Sequence, residues 1–371
     1  MKNTSVNLLH RIKESFSFSD RRQAKNTALN IIERKLQKTR VKSSPFIVQV
    51  DVTNRCNLNC TICSRKDLII GDISSSLFPE IIKLSRKSRE LILFGYGEPL
   101  LSEGFHELCK KSKSGRISFT TNGRLLTKEM AEKILSESNR PIFNITFSID
   151  AATEETYSSI RNNVRFDTVW NNLENISDYK SHFNLSCPEI WINFVAMRRN
   201  IEELPELIEK AAKAGVSKIN VFHMNVWDES YIEESLIFYP ELTRQIFNTA
   251  QVKAHELGIK LDIPVEISEN QKTKSFKLSD TSISKCYQPW SYCYIRNDAL
   301  VLACCYSEDH IMGDLSKRSF EEIWNDKPYR KLRARVNKTP SHDCQRCELR
   351  FRYTPSPDDY ETYIKLQSRT K

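Results

Sequence analysis

Three cysteines near residue 60 have a spacing that suits a metal cluster. Cys56, Cys60 and Cys63 are separated by three and then two residues, directly after an apolar run at 46–50. A cubane 4Fe–4S cluster takes one thiolate on each of its four irons. Three cysteines would leave one iron open to a small chelating molecule, which favours cluster chemistry at this loop. A zinc site or unrelated thiols are the alternatives, although zinc prefers paired Cys-x-x-Cys knuckles and four ligands.

A second group of six cysteines lies in the last quarter of the chain. Its members are Cys286, Cys293, Cys304, Cys305, Cys344 and Cys347. The last pair has the Cys-x-x-Cys spacing of a zinc knuckle, whereas its partners Cys286 and Cys304 are eighteen residues apart. This group therefore predicts an iron–sulfur cluster, with a structural zinc ion as the alternative.

The elements that must position these cysteines alternate between strand and helix. Strands are predicted at 46–50, 90–94, 116–121, 143–149, 190–195 and 218–223. Helices are predicted at 78–85, 103–111, 127–136, 167–177 and 201–214, followed by a helix at 241–256 and an edge strand at 260–263. Such alternation implies parallel strands joined by right-handed crossovers. We predict an α/β fold, a partial (β/α)6 TIM-like barrel with a small C-terminal cysteine-rich iron–sulfur domain.

Charge and composition set the first segment apart. The chain has 371 residues and a net charge of +9, and residues 1–44 hold eleven Lys or Arg against three Asp or Glu. Leu29, Ile32 and Leu36 recur at helical steps, which predicts a basic helix packed through that face on the neighbouring domain. Contact with a membrane surface or a partner is the alternative. Phe16 and Phe18 are the only aromatic residues of the segment, so nucleic-acid binding is not predicted.

The sequence near Met1 lacks the apolar stretch of a secretory signal, and no apolar run approaches the length of a membrane span. Cysteines grouped at metal-ligand spacings without such a signal indicate a reducing compartment. We therefore expect a cytoplasmic protein without a transmembrane segment.

The Cys-x-x-x-Cys-x-x-Cys loop after a first strand resembles the signature of the radical S-adenosylmethionine (radical SAM) superfamily. In that family the amino and carboxylate groups of S-adenosylmethionine chelate the open iron of the cluster. The resemblance implies that Cys56, Cys60 and Cys63 are the cluster ligands. The residue before the third cysteine, often aromatic in the family, is Ile62 here.

Loops after the later strands resemble the cofactor motifs of the same family. Gly97-Glu98-Pro99 is similar to the family's Gly-Gly-Glu-Pro motif, whose backbone contacts the methionine amino group, with Tyr96 in place of the first glycine. Ser148, with Asp150, Tyr157 and Arg161 downstream, resembles the Ser-Leu-Asp-Gly…Tyr…Arg pattern. The residues implied to bind the cofactor are Gly97, Glu98, Pro99, Asn122, Ser148, Arg161 and Asn193. Among them, Arg161 is expected to pair with the methionine carboxylate, and Asp150 to support its loop.

The C-terminal cysteines are similar to the SPASM and twitch modules of radical SAM enzymes, which bind auxiliary 4Fe–4S clusters. A full SPASM module carries seven cysteines, whereas six are present here and two of them are adjacent, which matches the one-cluster form better. The implied ligands are Cys286, Cys304, Cys344 and Cys347, with Cys305 as the alternative to Cys304.

The resemblances and the element pattern together predict five segments. These are a basic helical extension at 1–44, a radical SAM partial barrel at 45–267, a linker at 268–284, an auxiliary-cluster domain at 285–350 and a tail at 351–371.

The resemblance implies reductive cleavage of S-adenosylmethionine, with an electron donor of the flavodoxin or ferredoxin type. An auxiliary cluster that accepts a second electron favours a dehydrogenase-type oxidation of a small polar metabolite, such as an amino sugar or a nucleotide-derived compound. His223 is a candidate base because imidazole titrates near neutrality; the alternative is a structural role.

Two other functions compete with this prediction. A maturase that epimerises or cross-links a ribosomally made peptide would use a thiol as hydrogen-atom donor, and Cys293 and Cys305 are the candidates. A non-catalytic metal-binding interaction protein is the third interpretation, and it predicts no cleavage of S-adenosylmethionine.

Overall fold

The computed structural model describes residues 20–63, 65, 70–162, 164–224, 226, 228–264, 285–306, 310–341 and 344. Cys347, the predicted linker at 268–284 and the predicted tail at 351–371 lie outside the described residues. No described helix is both long and apolar enough to cross a membrane.

All ten strands of the described chain belong to one sheet. They are β1 (Ile47–Val50), β2 (Glu90–Leu93), β3 (Arg116–Thr121), β4 (Ile142–Ser148), β5 (Glu189–Ala196), β6 (Lys218–His223), β7 (Lys260–Asp262), β8 (Tyr292–Ile295), β9 (Leu300–Leu302) and β10 (Ile311–Asp314). Their order in the sheet is β10-β9-β8-β1-β2-β3-β4-β5-β6-β7. The pairs from β8 through β1 to β7 are parallel, and β9 and β10 are antiparallel additions.

The described part of the chain has eleven helices, most of which connect parallel strands. They are α1 (Arg21–Lys35), α2 (Phe78–Ser85), α3 (Glu103–Lys111), α4 (Lys128–Glu137), α5 (Glu154–Ile160), α6 (Phe166–His182), α7 (Leu204–Lys213), α8 (Pro240–Glu256), α9 (Gln288–Ser291), α10 (Phe320–Trp324) and α11 (Lys327–Arg335). Several begin where a side chain accepts a backbone N–H, as Ser102 does for α3 and Thr127 for α4. Short 3₁₀ turns at Ser75–Leu77, Pro99–Leu101, Ile201–Glu203, Glu229–Glu234 and Leu236–Phe238 complete the connections.

The two faces of the sheet differ in chemistry, because side chains alternate along each strand. One face packs under the helices and is apolar; its buried residues include Val48, Leu91, Phe119, Ile145, Ile192 and Val221. The opposite face carries polar residues that stand in register across the strands, among them Gln49, Ser118, Thr146, Ser148, Asn193 and Asn220. This second face is the inner face of the curved sheet, and its polar character requires partners or a ligand.

The predicted α/β fold with parallel strands is confirmed, and the seven predicted strands agree with β1–β7 within two residues at each end. The sequence did not predict that β8 continues the same sheet beside β1. It also missed α5 and began the 201–214 helix early, since Ile201–Glu203 is a 3₁₀ turn before α7.

The predicted packing face of the first helix was wrong. Ile32 and Leu36 are 53% and 64% exposed, whereas α1 buries polar residues instead. These buried residues are Gln23, Asn26, Thr27, Asn30 and Glu33. Their side chains bond to the segments that enter the strands: Asn26 donates to the carbonyls of Ser44 and Lys87 at 3.0 Å each. Hydrogen bonds position the helix because the segments just before β1 and β2, which it covers, present backbone carbonyls that need partners.

Candidate functional site

The first three cysteines occupy one loop at the C-terminal end of β1. Cys56, Cys60 and Cys63 are all half-buried. The loop closes with a turn in which the Cys63 N–H donates to the Cys60 carbonyl at 3.3 Å. The backbone N–H of Thr61 donates to the Ile160 carbonyl at the end of α5, at 3.0 Å. The loop is therefore attached to the region after β4 as well as to its own strand.

Hydrogen-bond donors face two of the three sulfur atoms. The Asn122 Nδ2 atom lies 3.8 Å from Cys56 Sγ, and the Arg161 Nη1 atom lies 3.9 Å from Cys60 Sγ. Burial raises the pKa of both thiols, so their thiolates need nearby positive charge. Iron supplies such charge, and the amide and guanidinium groups favour the same ionised form. The three thiols and their donors thus fit a bound iron–sulfur cluster.

The Gly97-Glu98-Pro99 segment lies directly against the backbone that precedes the cysteines. A Cβ atom on Gly97 would lie 2.4 Å from the carbonyl oxygens of both Thr53 and Arg55. The Glu98 N–H donates to the same Arg55 carbonyl at 2.8 Å. Only glycine permits this approach, and the approach fixes the distance between the two loops.

The Glu98 carboxylate ties three loops together from a fully buried position. It accepts hydrogen bonds from the Thr121 hydroxyl and the Asn122 N–H, both at 2.8 Å, and from the Leu100 N–H at 3.3 Å. Burial raises its pKa to about 7. Since Asn122 also donates to Cys56, Glu98 indirectly positions the environment of that sulfur. Because protein donors satisfy the Glu98 carboxylate, this side chain holds the surrounding loops in place and does not contact a ligand directly.

Arg161 forms a buried ion pair with Asp150. The shortest contact joins Arg161 Nη2 to Asp150 Oδ2 at 2.6 Å, and the second carboxylate oxygen of Asp150 accepts the Val195 N–H at 2.8 Å. Asn200 donates to the Asp150 carbonyl at 2.8 Å. Asp150 therefore has the loop-supporting contacts that we expected of it, and it orients Arg161 toward Cys60.

Three polar side chains continue the site along the inner face. Ser148 at the end of β4 is in register with Asn193 on β5, which is in register with Asn220 on β6. The Asn220 amide donates to the Asn193 Oδ1 atom at 2.9 Å. Sequence reasoning missed Asn220; its alternation with the buried Ile219 and Val221 was the signal that could have found it. Ser148 and Asn193 are thus brought together as neighbours, as their common prediction as cofactor-binding residues requires.

Asp51 is a second residue that the sequence analysis did not select. It is 1% exposed at the end of β1, where a Cβ on Gly95 would collide with it, and the Tyr294 hydroxyl on β8 lies 3.4 Å from its Oδ2 atom. Burial raises its pKa to about 7. The signal in the sequence was its place between the apolar strand and the cysteine loop. Tyr292 on the same strand donates to Gln49 Oε1 at 2.6 Å, so β8 and β1 are joined by side chains as well as by their ladder.

The auxiliary cysteines come from separate segments. Cys286 is held through its backbone: its N–H donates to Asn337 Oδ1 at 2.8 Å, and Asn337 Nδ2 donates to its carbonyl at 2.9 Å. Cys304 is half-buried after β9 and its sulfur accepts the Tyr306 N–H at 3.3 Å. Cys305 is exposed, with a side-chain contact to Tyr292, and Cys344 is half-buried. The fourth predicted ligand, Cys347, lies outside the described residues.

Within the described part of the chain, no three His, Cys, Asp or Glu side chains converge on a point that could hold one metal ion. A cubane places each thiolate on a different iron and therefore needs a wider arrangement than a single ion.

The two predicted catalytic residues lie on the helix-covered face of the sheet, but they differ in burial. Cys293 is completely buried in register with Val48 on the helix-covered face, whereas its neighbours Tyr292 and Tyr294 face inward. His223 shares the helix-covered face with Val221 and packs 6.2 Å from the Phe247 ring of α8. The one-residue alternation of a strand decides both placements. Cys293 is enclosed by the core and cannot reach a substrate beside the cysteine loop, so its prediction as a catalytic residue was wrong. His223 is half-buried at the C-terminal end of β6, and its role as a base stays a prediction.

Comparison with known proteins agrees with this architecture. The family model of the radical SAM superfamily matches residues 50–211, and that of the SPASM iron–sulfur cluster-binding domain matches residues 286–348. The AdoMet-dependent heme synthase of Methanosarcina barkeri is 23% identical over 320 residues, which span 78% of this chain and 85% of the relative. The tungsten-containing aldehyde ferredoxin oxidoreductase cofactor-modifying protein of Pyrococcus furiosus is 21% identical over 323 residues, or 81% and 86% of the two chains.

Solved structures share the fold at lower identity. SuiB of Streptococcus suis bound to S-adenosylmethionine has a TM-score of 0.61 at 16% identity, and the match covers 89% of this chain and 78% of that chain. SuiB bound to its precursor peptide SuiA has a TM-score of 0.59 at 17% identity, covering 83% and 70%.

The cysteine loop at the end of β1, together with the loops that carry Gly97-Glu98 and Asp150, is typical of an enzyme that uses radical chemistry. The chain belongs to the radical SAM superfamily and carries a C-terminal SPASM iron–sulfur domain. Its cofactors are accordingly a 4Fe–4S cluster with S-adenosylmethionine and an auxiliary iron–sulfur cluster.

Proposed function

We propose that this enzyme carries out a dehydrogenase-type oxidation of a small polar metabolite, of the amino sugar or nucleotide-derived kind. The observation that supports it is the direct pairing of β8 with β1. β8 leads through antiparallel β9 to Cys304, so Cys304 leaves the sheet near the start of β1, the end opposite to the Cys56 loop. A substrate radical held on the inner face between these two ends would thus lie between the cysteine loop and an acceptor for its second electron.

Within this proposal, Cys56, Cys60 and Cys63 hold the first cluster, and Cys286, Cys304, Cys344 and Cys347 hold the auxiliary one. When bound, the first cluster and S-adenosylmethionine supply a 5′-deoxyadenosyl radical that removes a hydrogen atom from the substrate. The chain's own residues bind, orient and exclude water.

The cofactor and the substrate have different contacts on the inner face. Ser148, Asn193 and Asn220 offer hydroxyl and amide groups for ribose or carboxylate oxygens, and Gly97 allows close approach of the backbone. Arg161 favours the ionised form of Cys60 and is available to a carboxylate beside Asp150. Gln49 on β1 lies on the inner face next to β8, and its amide oxygen accepts the Tyr292 hydroxyl. Such hydroxyl, amide and carboxylate groups match a substrate rich in hydroxyl or amino groups better than an apolar one.

Peptide maturation is the second candidate, because a solved structure with this fold was determined with its precursor peptide bound. Epimerisation would require a hydrogen-atom donor, and Cys305 is the remaining thiol candidate since Cys293 faces the helices. For either reaction we propose a flavodoxin- or ferredoxin-type protein as the electron donor.

One anaerobic preparation tests the proposal. We expect about eight iron atoms per chain and release of 5′-deoxyadenosine after reduction. Mass spectrometry of candidate metabolites should then show the loss of two hydrogen atoms from a small polar compound. A peptide product with unchanged mass would instead establish epimerisation, and a cross-linked peptide would establish the other maturase reaction. About four iron atoms together with one zinc ion would contradict the auxiliary-cluster assignment.

A further inference from the structure

Two segments distant in sequence are rich in basic residues and contain no acidic residue. Residues 35–42 hold four Lys or Arg, and residues 327–338 hold six. Nine of these ten side chains are exposed, and Arg333 is buried. We call the exposed set the basic face. Its residues are Lys35, Lys38, Arg40, Lys42, Lys327, Arg330, Lys331, Arg335 and Lys338.

Hydrogen bonds hold the two segments side by side. The Val41 N–H donates to Asn325 Oδ1 at 2.9 Å, and Asn325 Nδ2 donates back to the Val41 carbonyl at the same distance. The buried guanidinium of Arg333 donates to the Thr39 carbonyl at 3.2 Å. The basic face is therefore one surface, formed by the end of α1, the segment after it and α11.

This surface borders the segment that carries the first auxiliary cysteine. Asn337, which stands between Arg335 and Lys338, holds the backbone of Cys286 from both sides. Arg333 donates to the Pro289 carbonyl at 2.9 Å, and the Lys38 carbonyl accepts the Trp290 Nε1–H at 2.7 Å. Both basic segments thus contact residues 286–290.

Within the residues that the structure describes, no ion pair neutralises the basic face. No salt bridge joins any of its nine side chains to a carboxylate in the described part of the chain. The nearest acids in sequence to α11 are Glu322, which accepts the Ser319 hydroxyl, and Asp326, which pairs with Arg318. Asp326 also attracts Arg330, and Glu33 attracts Lys38, but neither pair forms a salt bridge. Nine exposed like charges repel one another, and a partner of opposite charge relieves that cost.

We propose that the basic face is the docking surface for an acidic electron-carrier protein, which exchanges electrons with the auxiliary cluster. The inference rests on the proposed oxidation, since that reaction leaves one electron on the auxiliary site in each turnover. The electron passes to the oxidised carrier, which becomes one-electron reduced while the cluster returns to its oxidised state. No covalent bond forms or breaks in this transfer.

Position and composition favour this partner over nucleic acid and over a lipid surface. The exposed residues of 35–42 and 327–338 include no aromatic side chain on which a base could stack. The exposed apolar residues nearby are Ile32 and Leu36, a single pair one helical turn apart on α1, which gives little area for insertion into a membrane. A surface next to the segment of Cys286 would bring an electron carrier close to the auxiliary cluster, whereas nucleic acid or a lipid surface would gain nothing from that position.

A charge-reversal variant with a matched control tests the docking surface. R330E/K331E/R335E reverses three charges on exposed positions of α11. The control K128E/K133E/K213E reverses three exposed lysines on α4 and α7. Both variants should keep the iron content and the dithionite-driven formation of 5′-deoxyadenosine.

Two quantities are measured. The first is the affinity for an acidic flavodoxin, determined by fluorescence titration at low and at high salt. The second is the rate at which oxidised flavodoxin removes an electron from the photoreduced enzyme. We expect the α11 variant to bind about tenfold or more weakly and to lose most of its salt dependence, with a matching fall in the electron-transfer rate. The control should keep both values.

Unchanged flavodoxin binding by the α11 variant, or an equal loss in the control, would overturn the proposal. So would α11-dependent binding of single-stranded RNA or of phosphatidylserine vesicles with the flavodoxin interaction intact. The proposed oxidation is judged separately, by the mass of the product formed with dithionite. A product without oxidation would reject that function while the flavodoxin titration still reported on the docking surface.

Discussion

The two cysteine regions of this enzyme are held in place in different ways. Cys56, Cys60 and Cys63 lie within eight residues of one another on a single loop, and the loops after β2, β3 and β4 surround them. The auxiliary cysteines are spread over about sixty residues, and Cys286 is positioned by Asn337, fifty-one residues away. The first region is thus a local motif supported by a regular barrel, whereas the second exists only after distant segments have docked.

This difference should appear most strongly when one cysteine of each region is removed. We expect Cys56→Ala to abolish formation of 5′-deoxyadenosine, because S-adenosylmethionine loses the cluster that cleaves it. Cys286→Ala should retain cleavage but lose substrate oxidation, with the iron content falling from about eight to about four atoms. Iron analysis and chromatography of 5′-deoxyadenosine measure both outcomes. Loss of cleavage in Cys286→Ala would show that the regions are not separable.

The close approach between Gly97 and the cysteine loop predicts the next largest effect. In Gly97→Ala the added methyl group would lie 2.4 Å from two carbonyl oxygens, so the loops must separate. We expect destabilisation by about 1–3 kcal/mol and binding of S-adenosylmethionine weakened about tenfold or more. Calorimetric titration and thermal unfolding measure these changes. Gly71→Ala is the control because nothing lies within 4 Å of its added Cβ, and it should be neutral.

Asn337 offers a milder perturbation of the auxiliary region. Asn337→Ala removes both hydrogen bonds to the Cys286 backbone and should cost about 2 kcal/mol. The electron paramagnetic resonance signal of the auxiliary cluster should weaken or shift while that of the first cluster is preserved. Asn337→Asp keeps the acceptor for the Cys286 N–H and should restore part of the signal. Equal changes in both clusters would argue against a role specific to Cys286.

The smallest functional effect is expected at α1, where the predicted change is one of stability. Asn30 donates to the carbonyls of Trp290 and Ser44 and accepts the Ser291 hydroxyl, so Asn30→Ala should cost about 1–3 kcal/mol. Ile32→Ala, on the exposed side of the same helix, should stay within about 0.5 kcal/mol. Urea unfolding measures both variants. A larger loss of stability for Ile32→Ala would instead support the apolar packing face that the sequence predicted.

The cysteine loop and the barrel could be predicted because their signals are local. The Cys56–Cys60–Cys63 spacing, the strand–helix alternation and the Gly97-Glu98-Pro99 turn are each contained in a few consecutive residues. The sheet face on which Cys293 and His223 lie could not be predicted in this way. A shift of one position along a strand moves a side chain to the other face of the sheet, and only the paired register with β1 or β5 fixes which face that is.

The sequence by itself determined the enzyme's family, its parallel sheet and the loop that we propose as the site of the first cluster, because short-range spacing and periodicity carry that information. Only the tertiary structure decided that β8 joins β1, that α1 packs through its polar side, and that the two acid-free segments form one basic face beside Cys286. These arrangements depend on backbone carbonyls and N–H groups that find partners across the fold, and such partners leave no periodic trace in the sequence.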